Sequence, residues 1–466
     1  QSLCQILQGF SMSKVRCRFA PSPTGFLHIG NARTAIFNYL FAKQNDGEFI
    51  LRIEDTDRER STQEAIDVIF DGLKLLGLKH DGEVIFQSKR TERYIEVVNE
   101  LLDSGLAYKC FHTKEELDEM RHQNNKVTSK WRNVSPSNYP NAPYVVRLDV
   151  DKILGSGTSE IYDMVQGEVS VDNSELDDMI VLRSDGSPVY HLAVVVDDHD
   201  TEITHIIRGD DHLTNTFRQN VIYDALKWSK PFYAHLPLIM DENGKKISKR
   251  SGAASVIDFV DMGYLPSAIV NYLAKLGWSS DKEFLSLEEL VNEFSFNHVG
   301  ASCSRLNFKK LDFINSHWIQ TEDTKVVFDA LMNLILKNNL KIDPSVITNL
   351  MPVLTPRSKT IVEMLGMVKY LDNDYWRELK YDVAIKDDVK NSPLIEEVSN
   401  NLMEIYSQNN LMPFLKEFCE KHNIKLRDVA GAIRGIVCKS NISPPLSNVF
   451  NSLPKEEVLK RLESYK

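Results

Sequence analysis

Two prolines and a glycine between Ala20 and Phe26 constrain this chain more than any other feature. Ahead of them, residues 15–20 alternate well enough for a strand. Pro21, Pro23 and Gly25 then exclude regular structure from 21 to 25. From Ile29 onward, Ala32, Ile36, Tyr39 and Leu40 recur at helical spacing. The result is a strand, a stiff turn and a helix. A helix opening with His28-Ile29-Gly30 presents backbone N–H groups, a positive dipole end and an imidazole to one point. That point suits a phosphate chain, and Gly30 lets a nucleotide lie against bare backbone. An ordinary strand–loop–helix unit with a capping histidine reads the same locally, so the neighbours must decide.

Residues 14–108 keep alternating. A strand is predicted at 48–53, a helix at 62–76 carrying Ile66, Ile69, Phe70, Leu73 and Leu76, and another at 90–102. Such units imply a Rossmann-type, doubly wound parallel sheet. The pattern breaks over 109–187, which reads as an inserted α+β subdomain: a charged helix at 114–122, a polar loop at 123–141, and strands at 144–148 and 179–183. Sheet character returns over 188–245 with strands at 191–196, 203–207 and 236–240 and a helix at 216–228. Residues 246–319 read as a helical connector. Residues 320–466 read as all-α in two parts split near 380, with Ile361, Met364, Leu365, Val368 and Leu371 in one stripe. Ser392-Pro393 signals the start of a helix carrying Ile395, Val398, Leu402 and Ile405, and Pro454 opens a last one.

Composition narrows the class. A chain of 466 residues is too long for one core and suits about three domains. No apolar run approaches the ~20 residues that span a bilayer, and residues 1–12 lack the basic region of a signal peptide. Six cysteines are scattered without framework spacing, which fits a reducing, cytoplasmic setting. Only Cys110-x-His112 resembles half of a zinc site, so no zinc is expected. The net charge of −11 does not suit a general nucleic-acid binder, but an acidic protein can still hold a phosphate backbone on a local patch.

Three further runs carry chemistry. Residues 241–252 place Lys245, Lys246, Lys249 and Arg250 after a turn, a cationic loop able to close over a triphosphate and stabilise charge building at its α-phosphate. A solvated basic loop would look alike. Arg52-Ile53-Glu54-Asp55-Thr56-Asp57 stands at the carboxyl end of a predicted strand, where parallel sheets bind ligands. Residues 190–212 run from an apolar strand into Asp197-Asp198-His199-Asp200, then into Arg208-Gly209-Asp210-Asp211-His212. Their spacing matches no metal motif, and Arg208 at a strand end suits bidentate pairing with a carboxylate.

Taken in order, Ala20-Pro21-Ser22-Pro23-Thr24-Gly25, His28-Ile29-Gly30-Asn31, Arg52-Ile53-Glu54-Asp55-Thr56-Asp57, Tyr190-His191-Leu192-Ala193, Arg208-Gly209-Asp210-Asp211 and Lys246-Ile247-Ser248-Lys249-Arg250 resemble the bacterial-type glutamyl-tRNA synthetases, class I aminoacyl-tRNA synthetases. Each motif is weak alone; six in order are specific, and the likeness runs from Lys14 to the end. The resemblance implies activation of L-glutamate by Mg-ATP, then transfer to the terminal ribose of tRNA(Glu). It implies no other cofactor, no membrane partner and a monomer. His28 and Gly30 would hold phosphates, and Lys246 and Lys249 would neutralise the transition state and the leaving pyrophosphate. Arg18, Ser22, Glu54, Tyr190 and Arg208 would bind glutamate, with Arg208 on its side-chain carboxylate and Glu54 on its ammonium. Asp211 and the backbone near Ile239 would address the nucleoside. The insert would grip the acceptor end and residues 320–466 the anticodon, with Arg357 at the position where discriminating members carry an anticodon-reading arginine. Charging of tRNA(Gln) as well is left open.

The chain departs from the pattern at Asn31, where class I enzymes usually carry a second histidine, and at Val194, where some relatives carry asparagine. Glutaminyl-tRNA synthetases are the nearest rivals, but they have Pro-Glu-Pro in place of Pro21-Ser22-Pro23 and β-barrel anticodon domains. A nucleotidyltransferase of small molecules would leave the helical third without a purpose.

Overall fold

Strand β1 (Arg16–Phe19) and the helix Ile29–Gln44 flank the proline-stiffened turn, as its chemistry requires. The computed structural model describes residues 14–23, 25–57, 61–124, 129–247, 254–380 and 385–465. Its chain contacts divide into two compact units, one of residues up to 258 with 270–307, the other of 259–269 with 308 onward.

The first unit is built on β1, β2 (Glu48–Ile53) and β3 (Ile85–Phe86), then β4 (Ala107–Cys110), β5 (Val145–Leu148), β6 (Thr158–Asp163), β7 (Gly167–Asp172) and β8 (Ile180–Leu182). The strands β9 (His205–Gly209), β10 (Phe232–Leu236), β11 (Ile239–Met240) and β12 (Ser304–Arg305) follow. A seven-stranded sheet has the order β3-β2-β1-β9-β10-β6-β7. All neighbours in it are parallel except the β6–β7 hairpin. Connections leave β1 toward β2 on one side and β9 toward β10 on the other. The β1/β9 seam is therefore the switch point where such sheets open a crevice. β4, β5 and β8 make a separate antiparallel sheet.

The helix Ile29–Gln44 packs Ile29, Ala32, Ile36, Phe37 and Leu40 out of water. Each large apolar side chain so buried contributes ~1.5–3 kcal/mol. Asn38 Nδ2 donates to the Ile207 carbonyl at 2.9 Å, tying this helix to β9.

Three expectations need correcting. Residues 191–196 form no strand: Tyr190–Asp200 is a helix, buried from Leu192 through Asp198. A fully buried helix shows no polar face, so its continuous apolar run imitates a buried strand. The strand expected at 236–240 is interrupted between β10 and β11, where Pro237 has no N–H to give a ladder. The single helix expected after Pro393 is two, Leu394–Asn400 and Leu402–Gln408, and Pro393 occupies the N-cap without a side-chain bond. The β6–β7 hairpin was not anticipated. Its signals are the alternation of 158–163 and Gly167, which opens β7 at φ +77° just after the turn.

The second unit is helical. Asp323, Asp343 and Thr360 each cap a helix by accepting a backbone N–H. Ile361, Met364, Leu365 and Val368 are buried as their spacing predicts. A further core gathers Val398, Leu415, Val429, Ile433, Val449, Val458 and Leu462.

Candidate active site

A cleft of about 470 Å³ opens at the carboxyl ends of β1, β2, β9 and β10. The sheet explains the convergence, because parallel strands deliver their ends to one edge. Of the residues singled out from sequence, Arg18, Ser22, His28, Gly30, Glu54, Tyr190, Arg208, Asp211, Ile239 and Lys246 all line it. Lys249 lies outside the described residues. Arg357 is exposed in the second unit, in the short turn Thr355–Arg357. Val194 is buried within its helix and does not line the cleft.

At the helix end, His28 is the N-cap and its Nδ1 accepts the Gly30 N–H at 3.2 Å. The Ile29 N–H donates to the Ala254 carbonyl at 3.0 Å. Two of the N–H groups expected to face a phosphate are thus engaged within the protein. What the helix offers instead is its dipole and the imidazole. With Nδ1 accepting, the neutral ring carries its proton on Nε2. Burial, then the nearby Lys246 charge, holds the His28 pKa below its ordinary value and favours that neutral donor. A Cβ at Gly30 would meet only His28 Nδ1, at 3.4 Å. Nothing in the protein itself therefore demands glycine, and the open side belongs to the cleft. Lys246 bridges to Met240, and Ser255 to His28, so both flanks of the cationic segment are pinned at the cleft.

The far wall is built of buried charge. Asp198 Oδ1 accepts from Arg18 Nε at 3.1 Å and from Arg52 Nη1 at 2.5 Å, and Arg52 Nη2 reaches Glu54 at 3.4 Å. Burial alone would raise the Asp198 pKa, but the two guanidinium groups hold it below the usual range. Glu54 is raised, because desolvation outweighs Arg52 and Arg18. The acidic run that could have suggested a metal is ion-paired instead: Asp197 accepts from Arg90, Tyr94 and Gln87, and Asp200 from Arg90 and Arg93. Among the described residues no group of His, Cys, Asp and Glu is arranged to hold a metal ion.

Arg208 is 6% exposed. Its Nε donates to His235 Nε2 at 3.1 Å, and its Nη2 to Thr216 Oγ1 at 2.8 Å and the His212 carbonyl at 3.3 Å. Its Nη1 is buried with no hydrogen-bond partner among the described residues. A buried charged donor left unpaired costs several kcal/mol and needs an explanation. An acceptor from outside the protein would supply one. Among the lining residues, Asn31 and His212 stand in runs the sequence singles out without giving them a role, and Arg33 and Thr34 were missed. Arg33 left no signal, since its anchors are the carbonyls of Pro237 and Leu276, far along the chain.

Residues 14–313 match the family model described as tRNA synthetases class I (E and Q), catalytic domain, and residues 324–466 match an anticodon binding domain. The chain belongs to the class I aminoacyl-tRNA synthetases, in their glutamate and glutamine branch. Within it the chain falls among the glutamate–tRNA ligases. It is 45% identical to glutamate–tRNA ligase 1 of Gluconacetobacter diazotrophicus, over 96% of this chain and 98% of that one. It is 44% identical to glutamate–tRNA ligase 2 of Rickettsia felis, over 97% and 100%. A crystal structure of glutamate tRNA ligase from Elizabethkingia meningosepticum in complex with its amino acid is similar at TM-score 0.81 and 27% identity, covering 97% of this chain and 99% of that chain. No described helix is long and apolar enough to cross a membrane.

Proposed function

We propose that this cleft binds L-glutamate and Mg-ATP side by side and makes glutamyl-adenylate for transfer to tRNA(Glu). The observation that carries this reading is the unpaired, buried Nη1 of Arg208 in the same cleft as His28 and Lys246. A substrate of matched size with a side-chain carboxylate completes Arg208 through a charge-assisted hydrogen bond from Nη1. Glu54 takes the α-ammonium, with Arg18, Ser22 and Tyr190 around the rest of the amino acid. The α-carboxylate is then free to attack the α-phosphate and expel pyrophosphate. A ribose hydroxyl of tRNA next attacks the activated carbonyl, and AMP leaves.

The side chains work by position and charge, with no covalent nucleophile. His28 donates from Nε2 to the phosphates, and Gly30 leaves them room. Lys246, with Lys249, neutralises the charge that builds on displacement. Asp211 and the backbone at Ile239 hold the nucleoside. The insert over 109–187 receives the acceptor end, 246–319 connects, and 320–466 reads the anticodon with Arg357 in contact. The enzyme acts as a cytoplasmic monomer, with magnesium entering on ATP and no zinc. Aminoacylation of separate tRNA(Glu) and tRNA(Gln), with Arg357→Gln beside the parent, tests whether tRNA(Gln) is charged too.

The decisive experiment is ATP–pyrophosphate exchange with glutamate or glutamine, with and without tRNA. Exchange with glutamate is expected. Exchange with glutamine alone would move the enzyme to the other half of its branch.

A further inference from the structure

We propose that Asp163 and His235 are a positioning pair that orients the Arg208 guanidinium and leaves its Nη1 as the donor for the substrate's side-chain carboxylate. The inference rests on the assignment of Arg208 to that carboxylate. Asp163 ends β6 and His235 lies in β10, where the two strands are in parallel register at Asp163 and Tyr233. Both side chains are fully buried.

The chain of contacts fixes the proton. Asp163 Oδ1 accepts the N–H groups of Val165 and Gln166, each at 2.9 Å, and its carboxylate also accepts the His235 N–H at 3.1 Å. So anchored, Oδ2 stands 2.6 Å from His235 Nδ1. The ring proton therefore sits on Nδ1, and Nε2 turns a lone pair outward. Arg208 Nε donates into that lone pair, and Thr216 Oγ1 lies 3.1 Å from it. With Nε and Nη2 both committed, the guanidinium plane is set and one amino nitrogen is left over. A protonated His235 would put Nε2–H against the Arg208 N–H. Burial, aided by Arg208, lowers the His235 pKa against the pull of Asp163 and so supports the neutral ring.

Asp163→Asn puts an amide donor where the carboxylate accepted, which favours the opposite histidine tautomer and takes away the acceptor that Arg208 needs. The same loss of orientation by tautomer is known for an aspartate behind a catalytic histidine. The test is ATP–pyrophosphate exchange by the full chain with tRNA, run on Asp163→Asn, Arg208→Gln and the double variant, alongside thermal unfolding. Asp163→Asn is expected to raise KM for glutamate about 10- to 100-fold, with KM for ATP moved by less than about twofold. In the Arg208→Gln background it should cost nothing more, since it acts only through that arginine. Equal losses in both backgrounds, or a parental KM for glutamate, would overturn the pair.

His235→Gln and His235→Leu give a second reading should Asp163→Asn fail to fold. Gln keeps an acceptor facing Arg208 and should retain KM within about fivefold, while Leu should lose as much as Asp163→Asn. Identical values for the two would overturn the proposal. Should Arg208→Gln itself leave KM for glutamate unchanged, the assignment of Arg208 has failed. A damaged Arg208→Gln beside a parental Asp163→Asn sinks the positioning pair alone.

Discussion

Two buried arginines, one in each unit, show how a scaffold differs from a site. Arg461 is fully buried in the helical unit, where Nε donates to Glu457 at 2.9 Å, Nη1 to the Val437 carbonyl at 2.8 Å and Nη2 to Asn373 at 2.6 Å. Its guanidinium also lies over Trp376, 4.6 Å from the ring centroid. Every nitrogen is used. Arg208 is nearly as buried, but one amino nitrogen has no partner among the described residues. Burial of charge is common to both. What separates them is whether the protein itself completes the hydrogen bonding.

The contrast can be broken most sharply at Arg208. Arg208→Gln should lower kcat/KM for glutamate by about 10² to 10³, equivalent to ~3–4 kcal/mol, while thermal unfolding shifts little. A large loss of stability with an unchanged KM would make Arg208 a second Arg461. On the phosphate side, His28→Ala should reduce kcat by about 10²-fold with less effect on KM for glutamate, read in the same exchange assay. Arg461→Leu should do the reverse. It is expected to destabilise the helical unit by about 3 kcal/mol in denaturant titration, with exchange activity per folded molecule within about twofold of parent.

A neutral buried group sharpens the same point. His205 is packed between Phe41 and Phe232, and burial pushes its pKa down to about 4. The unfolded chain binds that proton near pH 6.5, the folded chain only near 4. Stability is therefore complete above 6.5 and falls as pH drops toward 4, by roughly 3 kcal/mol. His205→Phe should flatten the slope of unfolding free energy against pH across that window. The smallest effect is expected at Gly209, where a Cβ would stand 2.5 Å from Asp211 Oδ1. Gly209→Ala should displace that carboxylate and raise KM for ATP about threefold, with under about 1 kcal/mol of stability lost.

Much of the cleft was legible because its residues lie in short runs at strand ends. Ser22, His28 and Gly30 lie close together in the sequence, Glu54 and Asp211 follow the strands β2 and β9, and Arg208 stands near the end of β9. Local pattern suffices where local geometry builds the wall. It failed for Tyr190–Asp200, whose apolar run carries no period because every face is covered. It also failed for the engaged N–H of Ile29, because the acceptor from Ala254 arrives from elsewhere in the fold. Asp163 and His235 carried no sequence signal at all. Their meaning exists only once β6 lies beside β10.

That adjacency makes residues 109–187 something other than an ornament on the parallel sheet. Trimming away 109–187 to obtain a minimal enzyme would strip two strands from the sheet, bare the flank of β10, and leave an imidazole with nowhere to send its proton. A naked parallel edge invites other chains to pair with it. Such a truncated protein is expected to aggregate before anyone can ask whether it still prefers one amino acid to another.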